Sequence, residues 1–264
     1  MNVVRLMGGI GNQLFQYAFG RMFEERGVEV FYDLTWFKQY NGGPASTKFP
    51  RIYRMDKFKA NIKLDDFRHY SLDFIKNRDS NIEGHNPYDE RIFTLDNKDF
   101  EGYWQRFEFI KELLPKLQDE LSLRDEVKTE RFSQLADEIR NTESIAVHVR
   151  RGDYIGLWPI LPGSYYADAI NKLSGDLYIF SDDIAWCKTA FGQSGRKTTF
   201  VDLEDYLSFE LMRLCKYKVT GNSTFSWWAA WLGGGTVFCP INWLGWKQNV
   251  DSDKRYPKEW IRIS

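Results

Sequence analysis

The densest chemistry in this chain lies in Ser144–Tyr154, SIAVHVRRGDY. Its apolar positions Ile145, Val147 and Val149 alternate as in a strand, and the run ends in His148, Arg150, Arg151 and Asp153. Two guanidinium groups at a strand end suit the bidentate grip of an anion, phosphate above all. A second cluster, Asn222, Ser223, Thr224 and Ser226, opens an apolar helical run. Its polar side chains and the free N–H groups of a helix start would make a neutral phosphate cradle, and capping alone accounts for one such residue rather than four. Arg150 and Arg151 facing that cradle describe a diphosphate site that needs no metal. A third cluster, Ser181-Asp182-Asp183, also ends an apolar run. Adjacent strand side chains point opposite ways, so one Asp is best placed to cap the next helix; nucleotide contact is the next reading, and a metal site the least favoured.

A fourth cluster sits near the start, in Gly8-Gly9-Ile10-Gly11-Asn12-Gln13. Leu14 stands where a dinucleotide fingerprint needs its third glycine, and no Lys-Ser/Thr completes a P-loop. Asn12, Gln13 and Gln16 offer uncharged hydrogen-bonding groups of the kind a sugar hydroxyl needs, with turn formation and capping the alternative for Asn12.

These clusters need elements to position them. Asn2–Leu6 reads as a strand, residues 14–23 as an amphipathic helix, and Val28–Tyr32 as the next strand, a β–α–β unit with a glycine-rich first turn. Residues 41–50 and 79–89 read as loops, and 100–109 as a strand leading into a helix over 110–121. The charged segment Ser122–Arg140 reads as helical, and its beginning divides the chain into domains 1–122 and 123–264. From Ser144 onward, strands at 145–149, 177–180, 199–202, 217–220 and 236–239 alternate with helices, a parallel α/β pattern. The polar clusters fall at strand carboxyl ends, the edge where open parallel sheets bind ligands.

Bulk properties narrow the classes. The 264 residues are 43% hydrophobic and 28% charged with net charge -1, which disfavours nucleic acid or an anionic membrane as main partner. Cys187, Cys215 and Cys239 lack metal-ligand spacing and read as small buried hydrophobes of a reducing compartment. No signal-peptide pattern and no run of membrane-spanning length is present, so a cytoplasmic location is expected. Ten Trp leave sugar platforms open, Trp243 and Trp246 among them, but Trp227, Trp228 and Trp231 at helical spacing read as core. There is no GxSxG or HExxH, and three His in all, which argues against a hydrolase.

Taken together, GGIGNQLFQYAFGR (8–21), GYWQ (102–105), HVRRGDY (148–154), FSDD (180–183), ELMRLCKY (210–217), NSTFSWWAAWLG (222–233) and YPKEWIRI (256–263) resemble the bacterial α-1,2-fucosyltransferases of glycosyltransferase family 11. The resemblance implies a GT-B fold, with two Rossmann-like domains facing across a cleft, acceptor chiefly on the first and donor on the second. It implies an inverting transfer of L-fucose from GDP-β-L-fucose to a 2-hydroxyl, expected to be that of galactose, in a glycan acceptor, with no metal and no cofactor besides the donor. It assigns Arg150 to the β-phosphate, His148 to the guanine or ribose, and Asn12 to the reacting centre; Asp153 and Asn12 are the candidate bases. Ser208 stands where the family commonly has an acidic residue, leaving Asp205 or Glu210 as guanine contact. Arg151, Ser181, Asp182, Asp183, Asn222, Ser223, Thr224 and Ser226 complete the expected donor site. A transferase for another nucleotide sugar and a non-catalytic binding protein are the alternatives. Peripheral membrane contact through a lipid-linked acceptor stays open.

Overall fold

Short apolar runs bounded by glycine and polar turns build parallel strands in both halves of the chain. The computed structural model describes residues 1–41, 50–64, 72–76, 90–243 and 255–264. It divides into two units, Met1–Ser122 with Asp253–Arg255, and Leu123–Ser252 with Tyr256–Ser264.

The first unit contains β1 (Asn2–Arg5), α1 (Ile10–Glu24), β2 (Val30–Asp33), α2 (Thr35–Asn41), β3 (Asp73–Lys76), β4 (Lys98–Glu101), α3 (Phe107–Ile110) and α4 (Leu114–Glu120). Its sheet has the order β2-β1-β4-β3 and is parallel throughout. The helix α1 is buried along most of its length because aromatic side chains surround it. Phe19 stacks on Trp104 with ring centroids 4.0 Å apart and meets Phe23, Phe93, Phe100 and Phe109 as well. The strand expected over 100–109 stops at Glu101 and gives way to α3. Trp104 adopts φ 52°, which no strand permits, and this turns its ring into the core. A helix, α2, occupies 35–41, where no regular element was expected; Asp33 starts it by accepting from the Thr35 N–H and hydroxyl, both at 2.7 Å. The 41–50 and 79–89 loops, His69 and His85 lie wholly or almost wholly outside the described residues.

The second unit contains α5 (Glu130–Arg140), β5 (Ser144–Val149), α6 (Gly163–Asn171), β6 (Asp176–Ser181), α7 (Ile184–Phe191), β7 (Thr198–Val201), α8 (Asp205–Leu214), β8 (Tyr217–Val219), α9 (Thr224–Gly233), β9 (Thr236–Pro240) and β10 (Ile261–Ile263). Its parallel sheet has the order β10-β9-β8-β5-β6-β7. This is the doubly wound Rossmann order, with the chain reversing direction between β5 and β8. Every residue of β5 is buried, as a central strand covered on both faces requires. Trp227, Trp228 and Trp231 pack into the core with Tyr256 and Trp260. Trp243 is buried against Tyr256 and offers no platform; Trp246 is not among the described residues. All three cysteines are free and buried, and burial raises each thiol pKa. Among the described residues, no helix is long and apolar enough to cross a membrane.

Candidate active site

The register of β5 against β6 assembles the centre of the site. Val149 lies opposite Ser181, so the next two residues of each strand end, Arg150-Arg151 and Asp182-Asp183, leave the sheet side by side. Arg150 Nη1 meets Asp182 Oδ2 at 2.9 Å and its Nη2 meets Asp153 Oδ1 at 2.6 Å. Arg151 Nε donates to Asp183 Oδ2 at 3.1 Å, and its guanidinium lies 4.1 Å from the Trp186 ring centroid. The Arg151 N–H donates to Asp182 Oδ1 at 2.9 Å. The other Asp183 oxygen caps α7 by accepting from the Trp186 N–H, while Ser181 Oγ accepts from the Asp183 N–H. Arg151, Ser181 and Asp183 thus fix the turn, and Arg150 projects from it inside a collar of two carboxylates.

His148 precedes this turn on the buried strand. Burial, reinforced by the nearby Arg150 charge, lowers its pKa to about 3, so the ring is neutral at physiological pH. It stacks on Phe225 at 5.2 Å, and its Nδ1 is buried with no hydrogen-bond partner, as is Arg150 Nε. Gly221 lies over both residues. A Cβ there would stand 3.0 Å from His148 Nδ1 and 3.8 Å from the Arg150 N. The turn at the end of β8 therefore comes against the end of β5 at the switch point of the sheet.

The start of α9 follows Gly221, but its side chains are largely occupied. Ser223 caps the helix through the Phe225 N–H. Ser226 is fully buried and donates to the Gly221 and Ser223 carbonyls. Asn222 donates to the Pro159 carbonyl at 2.9 Å, and its own carbonyl accepts from Tyr154 Oη at 3.0 Å. Thr224, half-buried, takes the first helical position. What this turn presents to a ligand is mainly backbone N–H at a helix N-terminus.

In the first unit, Asn12 is half-buried at the start of α1, and its Oδ1 accepts from Gln105 Nε2 at 2.8 Å. Gln105 in turn accepts from Arg255. Gly8, at φ 77°, brings its backbone against the Asn12 side chain. Gln13 and Gln16, expected to offer sugar contacts, are fully buried instead. Gln13 binds the Gly8 and Ile52 carbonyls and the Arg54 N–H, and Gln16 the Met7 N–H and Gly102 carbonyl. Their amides replace the missing ladder bonds of the glycine turn, so buried polar groups are satisfied rather than offered. The sequence reading also passed over a cluster at the ends of these strands. Arg5 pairs with Asp33 at 2.9 Å, Asp99 at 3.3 Å and Glu101 at 2.5 Å, and burial with the crowding of carboxylates raises the Asp99 pKa. The signal was available: Arg5, Asp33 and Glu101 each end a strand of one parallel sheet.

On α8, Ser208 donates to the Leu203 carbonyl. Asp205 accepts from the neighbouring Tyr206 N–H. Glu210 pairs with Arg213 at 3.5 Å and has Lys128 and Arg140 as its next cations, which turns it toward α5 rather than the sheet edge. Among the described residues, no group of three or more His, Cys, Asp or Glu is arranged to hold a metal.

Two Rossmann-like α/β units, one carrying an arginine and a helix start at its switch point, are the parts of a GT-B glycosyltransferase. The chain belongs to glycosyl transferase family 11, whose model matches residues 1–264. It is 29% identical to an Escherichia coli alpha-1,2-colitosyltransferase over 99% of this chain and 98% of that protein. It is 26% identical to the mouse galactoside 2-alpha-L-fucosyltransferase Sec1 over 100% of this chain and 74% of that protein. The fold matches the crystal structure of the fucosyltransferase NodZ from Bradyrhizobium with a TM-score of 0.52 at 18% identity, covering 86% of this chain and 91% of that one.

Proposed function

We propose that the protein transfers L-fucose from GDP-β-L-fucose to the 2-hydroxyl of a glycan, with galactose the expected acceptor sugar, forming an α-1,2 linkage with inversion. The donor site is assigned to the second unit and the acceptor to the first. One observation carries the donor assignment. His148 Nδ1 and Arg150 Nε are both buried without a partner, beside the glycine that opens α9. Buried nitrogens of this kind are costly and rare, and a polar ligand at the switch point would satisfy them.

Breaking the fucosyl–phosphate bond puts negative charge on the β-phosphate and oxocarbenium character on the sugar. Arg150 and the N–H groups at the start of α9 are assigned to that departing charge. The acceptor hydroxyl attacks the anomeric carbon from the opposite face as GDP departs, and its proton passes to water as the new C–O bond forms, which a loose transition state permits without a strong base. Asp153 is a poor candidate for the base, because its carboxylate lies 2.6 Å from the guanidinium assigned to the leaving group and so on the wrong side of the sugar. It is better read, with Asp182, as holding Arg150 in place. Asn12 is an amide and takes no proton; its fitting role is to orient the sugar or the attacking hydroxyl.

A second donor is favoured by one finding, the match to an α-1,2-colitosyltransferase along almost the whole of both chains. Colitose is L-fucose without its 3-hydroxyl, so the two donors share the GDP site and differ at one group. Thermal shift against GDP, UDP and ADP tests the nucleotide, and turnover of GDP-fucose against GDP-colitose tests the sugar. NMR of the product gives the linkage. Stabilisation by UDP or ADP alone, or a linkage other than α-1,2, would overturn the reading. A cytoplasmic location and independence of metal go with it, and undiminished activity in EDTA is the expected result for the second.

A further inference from the structure

Residues 155–162, Ile-Gly-Leu-Trp-Pro-Ile-Leu-Pro, contain no charge and no hydrogen-bonding side chain except one indole. Ile155 is 55% exposed, Leu157 73% and Trp158 41%, and no large hydrophobic among the described residues is more exposed than Leu157. The turn that displays them is well tied. Tyr154 and Ile155 donate backbone bonds to the Arg151 carbonyl, and Leu157 and Trp158 donate to that of Tyr154. Asn222 clips the turn at both ends, through Tyr154 Oη and through the Pro159 carbonyl. Gly156, at φ 81° with open space beside it, makes the reversal. Leu161 then folds back onto the core. Three large apolar side chains held rigidly in water are a standing cost unless something covers them.

We propose that this turn inserts into the interfacial layer of a lipid bilayer and holds the protein at a membrane surface. A glycan subsite would need directed polar groups, which the stretch lacks. A stable contact with a second copy would need about 800 Å² per partner, far more than three side chains on a turn supply. A tryptophan beside aliphatic side chains is the composition that partitions to the membrane interface. No Lys or Arg lies within the stretch, and the two arginines before it are paired with carboxylates, so neutral lipid is the expected surface. The Tyr154 ring lies 5.3 Å from the Arg150 guanidinium and 6.4 Å from the Trp158 ring, so the membrane contact would stand close to the site assigned to the reaction. The membrane contact itself does not depend on which donor is used.

The test is flotation of the full-length protein with phosphatidylcholine vesicles, with neither nucleotide nor acceptor present. The wild-type protein should float. Leu157→Glu should lower the bound fraction at least tenfold, and Trp158→Ser several-fold, each with an unchanged melting temperature. Ile52→Glu, the same charge placed on a 51% exposed hydrophobic elsewhere, should float as wild type does. The proposal fails if the wild-type protein stays with the buffer, if it floats only with anionic vesicles, or if Leu157→Glu floats undiminished. It also fails if Leu157→Glu changes the sedimenting mass, which would mark a contact between copies. A raised KM for a soluble glycan in Trp158→Ser with flotation intact would mark a sugar platform and likewise overturn it.

Discussion

His148 ties the buried strand to the site, and its titration can be read as stability. In the unfolded chain the imidazole takes up a proton below its ordinary value of 6.5, but in the folded protein burial and the Arg150 charge keep it neutral down to about 3. Between those values the unfolded state binds the extra proton and is favoured. The contribution is therefore fully present above pH 6.5 and is lost as pH falls, at about 1.4 kcal/mol per unit. From pH 7.5 to 5.0 the linkage gives a loss of about 2 kcal/mol, in a range where most carboxylates have yet to protonate. Urea denaturation at pH 7.5, 6.0 and 5.0 reads it directly. His148→Gln, neutral at every pH, should be less stable at pH 7.5 because the Phe225 stacking is lost, yet much flatter with pH. A wild-type stability unchanged down to pH 5.0, or an equal loss in the glutamine variant, would refute the argument.

Other changes address the site and the core. Arg150→Ala should lower kcat/KM by roughly 100- to 1,000-fold with the fold intact, as expected for loss of a transition-state donor; turnover within a few-fold of wild type would remove Arg150 from the mechanism. Asp153→Asn should weaken GDP binding several-fold by calorimetry, since the carboxylate that holds the Arg150 guanidinium in place is lost; tighter binding would show that the carboxylate competes with phosphate instead of orienting Arg150. Lys218 is buried with its Nζ on the Gly234 carbonyl, and burial lowers its pKa to about 8. The unfolded chain keeps that proton up to about 10.5, so stability should rise with pH between 8 and 10.5, by up to about 3 kcal/mol, and Lys218→Met should abolish the rise. Gly20→Ala would drive a Cβ to 2.3 Å from Tyr32 Oη and should cost about 1–3 kcal/mol. Tyr32→Phe in the same chain should recover part of that loss, and strict additivity of the two changes would sink this packing argument.

How much could be read before the fold was known depends on how local the physics is. Apolar runs that end in polar clusters mark strands of a parallel sheet, so the α/β class was written in the chain, as was the core role of Trp227, Trp228 and Trp231 on α9. The strand-breaking φ of Trp104 was not, because it follows from a ring packing onto Phe19 from a distant segment. The same limit applied to α2, which hangs on one carboxylate, Asp33.

Residue types alone marked Arg150 and Arg151, Asp182 and Asp183, and Asn222 to Ser226 as the polar ends of strands. Only the register of β5 on β6 decided that the arginines and aspartates are partners, because side-chain pairing across a sheet is set by which residues lie opposite, not by spacing along the chain. Burial on both faces of β5 decided that His148 is neutral, and folding left its Nδ1 and the Nε of Arg150, just past the strand end, without partners, which no pattern of residue types discloses. Gln13 and Gln16 carry the same lesson in reverse. An amide is equally fit to meet a sugar or a backbone, and the unpaired carbonyls and N–H groups of the neighbouring turns, brought close only by folding, claimed both.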